Sequence, residues 1–136
     1  MRRFGRDGLI FTASLFLSVP SVAGKNPAPV DYMLHCQGCH LPGGIGHPGI
    51  VPSLRNHVGL FLQSREGRAF LIQVPGVAQS SLDDADLAAV MNWMLLEFDP
   101  VHVKPDFEKF TAAEVRRYRY VPINKLSERR RNLLSN

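Results

Sequence analysis

The clearest hydrophobic pattern of the chain lies in residues 82–98. Apolar side chains recur there at three- and four-residue spacing, which indicates a helix with one buried face. Ser81 is the predicted N-cap, and the three aspartates that follow it favour a helix N-terminus. Asp99 and Pro100 are expected to end the helix, because helical conformation is disfavoured for the residue before a proline. The apolar positions are Leu87, Val90, Met91, Met94, Leu95 and Phe98.

Shorter patterns predict further helices on both sides of this one. Residues 30–39 have apolar residues and cysteines at helical spacing, and residues 58–62 and 67–74 are short apolar segments. Residues 111–118 are also predicted to be helical, with a threonine and a glutamate spaced as a capping box. Residues 41–52 contain four glycines and three prolines, which predicts a series of turns.

The first 23 residues have the pattern of a secretory signal peptide. Arginines at positions 2, 3 and 6 precede an apolar stretch, residues 9–19, and small residues follow it up to Ala23. We therefore expect cleavage near Gly24 and export to a bacterial periplasm, with an uncleaved anchor as the alternative. No apolar run approaches the ~20 residues that a membrane-spanning helix needs, so no transmembrane span is expected after cleavage.

Composition and charge narrow the class of protein further. Of the 136 residues, 45% are hydrophobic and 21% are charged, which is too apolar for a disordered chain. Residues 24–103 carry four basic and seven acidic side chains, whereas residues 104–136 carry nine basic and four acidic ones. We therefore divide the mature chain into a mildly acidic domain, 24–103, and a basic C-terminal extension, 104–136, with a short helix. No nucleic acid partner is expected, because the basic residues are terminal and the chain is predicted to be exported.

The two cysteines of the chain lie in the pentapeptide Cys36-Gln37-Gly38-Cys39-His40. On a helix, Cys36 and Cys39 are one turn apart, so both thiols can reach the two vinyl groups on one side of a porphyrin. His40 follows directly, and its imidazole can bind the iron from the same turn. In an exported protein this spacing is the attachment signature of haem c. We predict one covalent haem, held by Cys36 and Cys39 through thioether bonds, with His40 as the proximal axial iron ligand.

Three other uses of the cysteine pair are open at this point, each less favoured. A zinc site needs four ligands, and no second cysteine pair or close histidine pair completes one. A thioredoxin-like pair lies at a strand-to-helix junction of a βαβ unit, which the pattern does not predict. A disulfide bond across two intervening residues is geometrically awkward.

Residues 30–98 resemble the small class I cytochromes c. Besides the pentapeptide, Pro52-Ser53-Leu54 matches the Pro-x-Leu segment of that family, and Pro75-Gly76, a predicted turn, precedes an acidic-capped helix with an aromatic residue, Trp93. The resemblance implies an all-α, cytochrome c-like fold of three to four helices around one covalently bound haem. It also implies that the carbonyl of Pro52 accepts a hydrogen bond from His40 and thereby orients its ring.

The sequence departs from this family at the sixth iron ligand. The resemblance implies a distal methionine in the loop before the last helix, but residues 75–80 contain none. Met91 and Met94 lie in the apolar stripe and are expected to be core residues, and Met33 is expected to pack against the aromatic residue of the last helix. His102, just past that helix, is a candidate ligand, and an open or water-bound position is equally compatible with the sequence.

The sequence predicts an electron-transfer protein rather than an enzyme. The 80 residues of the predicted domain leave little room for a substrate pocket beside a haem, and no Ser-His-Asp or paired-carboxylate arrangement is evident. We expect a periplasmic carrier of single electrons, with a dehydrogenase as donor and an oxidase or another cytochrome as acceptor. Residues 74–80 and 110–115 resemble the subgroup that accompanies periplasmic amine or alcohol dehydrogenases.

Two alternatives remain open from the sequence. An exchangeable distal site would make the protein a small-molecule sensor or a peroxidase-like enzyme instead. The basic extension is expected either to dock the haem domain on an acidic enzyme or only to solvate the end of the chain.

Overall fold

Helices joined by turns make up residues 25–135, the part of the chain that the computed structural model describes. The α-helices of that part are α1 Ala28–His35, α2 Gln37–His40, α3 Arg65–Gln73, α4 Pro75–Ala78, α5 Asp84–Phe98, α6 Ala112–Tyr118 and α7 Leu126–Leu134. Two 3-10 segments, Pro42–Gly44 and Val58–Gln63, lie between them. β-type pairing within residues 25–135 is limited to one isolated bridge between His47 and Val51.

This architecture confirms the all-α fold class. The helices outnumber the three to four expected, because short helices interrupt the domain and the extension adds two more. The predicted signal peptide, residues 1–23, lies outside the described residues. Among the helices of the described part, none is both long enough and apolar enough to cross a membrane.

Helix α5 is the central element, and its apolar stripe forms the middle of the core. It begins at Asp84, two residues later than predicted, because the carboxylate of Asp83 accepts hydrogen bonds from two amides of the first turn at 2.8 and 2.9 Å. Asp83 is therefore the N-cap, and the prediction of Ser81 is wrong. All six predicted stripe positions are buried, and the helix ends before Asp99 as predicted.

Helix α1 packs against the C-terminal half of α5 through Tyr32. The ring centroid of Tyr32 lies 5.4 Å from that of Trp93 and 5.0 Å from that of Phe98, and its hydroxyl donates a hydrogen bond to the carbonyl of Leu41. The prediction that Met33 packs against Trp93 is wrong, because Met33 is 52% exposed and Tyr32 takes that place. This contact fixes the helix that precedes the cysteine motif to the core.

The predicted first helix is interrupted at Cys36. Helix α1 ends at His35, Cys36 has a non-helical φ of −124°, and α2 begins at Gln37. The amide of Cys36 donates to the carbonyl of Tyr32 at 2.9 Å, and the carbonyl of Cys36 accepts from the amide of His40 at 3.0 Å. The break therefore redirects the chain while both neighbouring turns stay hydrogen-bonded.

Turns occupy the glycine-rich segment after the motif, as predicted. Gly44 has a positive φ of 71°, and a Cβ at this position would lie 2.9 Å from Cδ2 of Phe98. Its carbonyl accepts a hydrogen bond from the amide of Leu54 at 2.8 Å. Only glycine allows the turn to approach the end of α5 this closely. Pro75 and Gly76 differ from the prediction, because they begin α4 instead of forming a separate turn.

The basic extension packs against the body of the molecule. Phe110 and Val115 are buried, and the side-chain amide of Asn92 exchanges hydrogen bonds with the backbone N–H and C=O of Phe110 at 2.7 and 2.9 Å. Arg68 of α3 forms a bidentate ion pair with Glu114 of α6, at 2.7 and 2.9 Å. The interpretation of the extension as only a solvated chain end is therefore wrong for α6.

Both helices of the extension have identifiable contacts. The hydroxyl of Thr111 caps α6 by accepting a hydrogen bond from the amide of Glu114 at 3.2 Å, which confirms the N-cap. The reciprocal half of the predicted capping box is not formed, because the carboxylate of Glu114 binds Arg68 instead. Helix α7, which the sequence pattern did not predict, places the guanidinium of Arg130 over the ring of Phe61 at 5.8 Å from its centroid. The extension thus contributes two helices instead of the single short one expected.

Candidate haem site

Cys36 is the N-cap of α2 and Cys39 lies within its single turn, and both thiols are free. Cys36 is half-buried and Cys39 is exposed. Burial, reinforced by the carboxylate of Asp31 and by Cys39, raises the pKa of the Cys36 thiol to about 11. A thioredoxin-like pair needs the opposite shift, because the thiolate is the nucleophile. The environment of Cys36 therefore argues against a redox-active dithiol, and the free thiols argue against a structural disulfide.

His40 is the last residue of α2 and is oriented by its surroundings. Its Nδ1 is buried and makes no hydrogen bond with the described residues. Burial lowers the pKa of His40, and the backbone carbonyl of Pro52 opposes this by favouring the protonated ring. The neutral imidazole that burial favours is the form that binds a metal. The expected hydrogen bond from His40 to Pro52 is not formed in this structure, although the carbonyl of Pro52 lies near enough to influence the pKa of the ring.

The carbonyl of Pro52 reaches this position because the chain folds back tightly after α2. The amide of His47 donates to the carbonyl of Val51 at 2.9 Å, and the amide of Val51 donates back to His47 at 2.8 Å. At Gly46, where φ is 66°, a Cβ would lie 2.4 Å from the carbonyl oxygen of Val51 and 2.9 Å from that of Pro52. The amide of Gly46 is tied to the carbonyl of His40 at 2.9 Å. Gly46 thus lets the Pro52 segment lie directly against the end of α2.

These residues fit a covalently attached haem. They provide two free thiols one turn apart and an imidazole whose buried Nδ1 faces the protein, which leaves Nε2 for a metal. Four large apolar side chains near the motif are exposed and could be covered by an apolar macrocycle; they are Met33, Leu34, Ile45 and Ile50. Within residues 25–135, no group of three or more His, Cys, Asp and Glu side chains is arranged to hold a metal ion, which argues against the zinc alternative.

His102, the candidate for the sixth ligand, is held by a buried carboxylate. Its Nδ1 lies 2.7 Å from Oδ1 of Asp99, and Oδ2 of Asp99 accepts a hydrogen bond from the amide of Gly59 at 2.7 Å. Asp99 is fully buried. Among the described residues, no hydrogen bond joins His102 to the cysteines or to His40. The structure thus brings His102 together with Asp99, and its role as iron ligand stays a prediction.

The sequence pattern assigned Asp99 no role beyond ending α5. Its carboxylate in fact links the end of α5, the 3-10 segment and His102. An aspartate and a histidine three residues apart, directly after a strong helix, are the only sequence signal for this pair. Met91 and Met94 are buried in the core, as predicted, at 1% and 7% exposure.

Arg119 is a second residue that the sequence pattern did not single out. It is the only buried cation among residues 25–135, at 6% exposure. Its guanidinium donates hydrogen bonds to the carbonyls of Ala78 (3.3 Å), Ser80 (2.7 Å) and Leu82 (3.1 Å), and to Oδ1 of Asp84 (3.0 Å). These acceptors span the connection between α4 and α5. No local signal distinguishes this arginine from the other basic residues of the extension.

Comparison with known proteins points to one family. No family model matches the chain. The chain is 32% identical over a 141-residue alignment to a protein named cytochrome c-552 from Thermus thermophilus, and the alignment covers 88% of this chain and 95% of the relative. A second Thermus thermophilus protein, also named cytochrome c-552, is 32% identical over 117 residues, covering 71% of this chain and 89% of the relative.

Proposed function

The chain belongs to the small c-type cytochromes, which include cytochrome c-552, and we propose that it carries single electrons from a periplasmic dehydrogenase to a downstream acceptor. As a member of this family it is an electron carrier with covalently bound haem c. An oxidase or another cytochrome is the proposed acceptor. The resemblance of residues 74–80 and 110–115 to cytochromes that accompany amine or alcohol dehydrogenases supports the choice of donor.

We propose that Cys36 and Cys39 form the thioether bonds and that His40 is the proximal iron ligand. The observation that carries this assignment is the buried Nδ1 of His40, which has no partner among the described residues and lies near the carbonyl of Pro52. A hydrogen bond to that carbonyl would fix the ring and present Nε2 to the iron. Haem c supplies the one-electron iron couple on which the carrier function depends.

The residues around His40 are suited to a ligand that must not move during oxidation and reduction. The carbonyl of His40 accepts a hydrogen bond from Gly46, and the next carbonyl, that of Leu41, accepts one from Tyr32. Two successive carbonyls on the C-terminal side of the ligand are thus tied to other parts of the chain. Small rearrangement on electron transfer is what a carrier protein requires.

The proposal includes export and a two-part mature chain. Removal of residues 1–23 would release a haem domain, 24–103, with its extension, 104–136, into the periplasm, where haem c is attached. N-terminal sequencing of the purified protein tests this, with Gly24 expected at or near the first position. A product that retains the arginines at positions 2 and 3 would contradict it.

The carrier function is tested by mixing the oxidised protein with an amine or alcohol dehydrogenase and its substrate. We expect reduction of one haem per chain, observed in the α and Soret bands, and reoxidation by an oxidase preparation. The assignment of His40 is tested with His40→Met. His47→Met is the matched control, because His47 is an exposed histidine seven residues further along the same segment. H40M should change the spectrum and the rate, whereas H47M should not. Equal effects of both variants would contradict the assignment of His40.

A second function, a small-molecule sensor or peroxidase-like haem protein, is favoured by one observation. The connection between α4 and α5 contains no methionine, and Met91 and Met94 are buried in the core. Addition of carbon monoxide to the reduced protein separates the two functions. Slow or incomplete change of the Soret band is expected for the carrier, and rapid, complete binding would favour the sensor or enzyme.

A further inference from the structure

We propose that Arg119 is a positioning residue of the haem site, which fixes the 78–84 loop (residues 78–84) against the end of helix α1 and thereby limits how freely small molecules reach the iron. This inference rests on the haem attachment proposed above. It assigns a role in the haem site to a residue of the basic extension.

The guanidinium of Arg119 satisfies several loop acceptors at once. Three of its nitrogens donate, Nε to Ala78, Nη2 to Ser80 and Nη1 to both Leu82 and Asp84. The planar, five-donor fork of arginine makes such divergent contacts possible, and lysine cannot reproduce them. On this side the loop is otherwise held by the packing of Leu82 against the core, by the exposed bond from Arg116 to Asp84, and by local hydrogen bonds such as that from the amide of Gln79 to the carbonyl of Pro75. Arg119 is therefore the main buried polar contact between the loop and the rest of the protein on this side.

On its other side, the loop contacts the segment that carries the cysteines. The hydroxyl of Ser81 lies 3.3 Å from Nδ1 of His35. His35 is the last residue of α1 and directly precedes Cys36. Lys25 adds ion pairs to Asp83 at 3.2 Å and Asp86 at 2.9 Å, but these are exposed and contribute little. The loop thus lies between Arg119 and the attachment residue.

Arg119 is itself held in place, so it can act as a fixed support. Its amide donates to the carbonyl of Val115 at 2.9 Å, and the side chain of Val115, on α6, is fully buried in the core. Removing the guanidinium would leave loop carbonyls without partners in a partly buried position, which favours loop conformations in which water reaches them. The loop would then open more often, next to Cys36.

Arg116 offers a matched control on the same helix. Its Nε donates to Oδ2 of Asp84 at 2.9 Å, but its side chain is 77% exposed and contacts none of the loop carbonyls. Arg116→Gln therefore removes the same charge and a bond to the same carboxylate without releasing the loop. Glu114→Gln is a second control, because it loosens α6 from Arg68 without touching the loop.

The experiment measures ligand association with the haem-loaded full chain. Carbon monoxide is mixed with the ferrous protein, and imidazole with the ferric protein, in stopped-flow experiments on wild type, R119Q, R119K, R116Q and E114Q. R119Q should accelerate association at least about tenfold, because the guanidinium donates four hydrogen bonds to the loop and the loss of even one from a charged donor shifts a local opening equilibrium by about that factor. R116Q should stay within roughly twofold of wild type, because exposed ion pairs contribute little. R119K should be intermediate, and E114Q should lower thermal stability without changing the rates.

Equal association rates in R119Q and R116Q, with only thermal stability lowered in R119Q, would assign Arg119 to folding alone and overturn the proposal. If R119Q does not fold, R119K decides through hydrogen exchange: the amides of residues 79–83 should exchange faster than in wild type, and unchanged exchange would overturn the proposal. Failure of haem attachment itself is distinguished beforehand, because wild-type protein would then be colourless before any rate is measured.

Discussion

The hydroxyl of Tyr32 donates a hydrogen bond to the backbone carbonyl of Leu41 at 2.8 Å, across the segment that holds both cysteines and His40. The Tyr32 ring is packed against Trp93 and Phe98 of α5, and Leu41 directly follows His40. This single bond therefore connects the aromatic contact between α1 and α5 to the proposed iron ligand. It holds the two ends of the attachment segment together.

Tyr32→Phe should lower the free energy of unfolding at pH 7 by about 1 kcal/mol, because the carbonyl of Leu41 loses the shorter of its two hydrogen bonds and keeps only that from the amide of Gly44, while the ring packing is kept. Burial raises the pKa of Tyr32 to about 12, above the value near 10 of an unfolded chain. The folded state thus binds this proton more tightly, and the resulting stabilisation is complete below pH 10 and is lost as the pH rises towards 12.

Urea unfolding between pH 7 and pH 12 measures both effects. Wild type should lose more stability than Y32F between pH 10 and pH 12, so that the two curves converge. Tyr120→Phe is the control, because Tyr120 is 73% exposed; its curve should coincide with that of wild type. Parallel curves for wild type and Y32F over the alkaline range would contradict this account of Tyr32.

Gly46→Ala should damage the haem site more than Gly49→Ala. Both glycines have positive φ, 66° and 76°, so alanine is strained at each. At Gly46 the new Cβ would also lie 2.4 Å from the carbonyl oxygen of Val51, whereas nothing lies within 4 Å at Gly49. We expect G49A to cost about 1 kcal/mol of stability, and G46A to cost clearly more and to shift the midpoint potential, because Pro52 is pushed away from His40. Equal stability losses and equal potentials would show that the turn does not position Pro52.

Particular residues show how far the sequence alone could predict this structure. The buried stripe of α5 was predictable because helical periodicity is a property of the sequence itself. Its start was not, because Ser81, Asp83 and Asp84 can all cap a helix, and the choice depends on tertiary contacts. Arg116 and Arg119 take both carboxylate oxygens of Asp84, whereas Asp83 binds Lys25 through Oδ2 and keeps Oδ1 for the cap. The break at Cys36 was hidden for a similar reason, since the local spacing is fully helical.

The site divides in the same way. A haem role for Cys36, Cys39, His40 and Pro52 can be proposed from the sequence because their chemistry is encoded in short spacings, and it stays a prediction. The role of Arg119 was not predictable, because it depends on carbonyls some forty residues earlier in the chain. Every residue has a backbone carbonyl, so the sequence does not show which ones will accept its hydrogen bonds. Such contacts between distant segments need the fold.

Exposed cations of α7 should steer the protein towards an acidic partner. Arg129 and Arg131 are exposed, so replacing both with glutamate reverses the charge at these positions without disturbing the buried contacts of the extension, which truncation would destroy. At low ionic strength, R129E/R131E should slow reduction by the proposed partner, a dehydrogenase, about tenfold, and the difference should shrink as salt is added. Arg65→Glu, on the domain itself, is the control. Identical salt dependence for all three proteins would contradict docking through the extension.

The midpoint potential should be lower than that of methionine-ligated class I cytochromes c. Methionine ligation raises the potential because the thioether favours ferrous iron, and the connection between α4 and α5 has no methionine to supply it. A redox titration measures the potential, and the ferric spectrum should lack the weak red absorption band of methionine-bound haem. A potential at or above that of methionine-ligated relatives, together with that band, would show that a methionine such as Met94 reaches the iron after all.

Covalent haem attachment is tested most directly by the intact mass of the purified, secreted protein, measured before and after acid-acetone extraction. For wild type we expect the mass of the mature chain plus one haem, unchanged by extraction. Cys36→Ala combined with Cys39→Ala should abolish the added mass. A colourless wild-type protein, or one that returns to the mass of the bare chain after extraction, would contradict covalent attachment at Cys36 and Cys39.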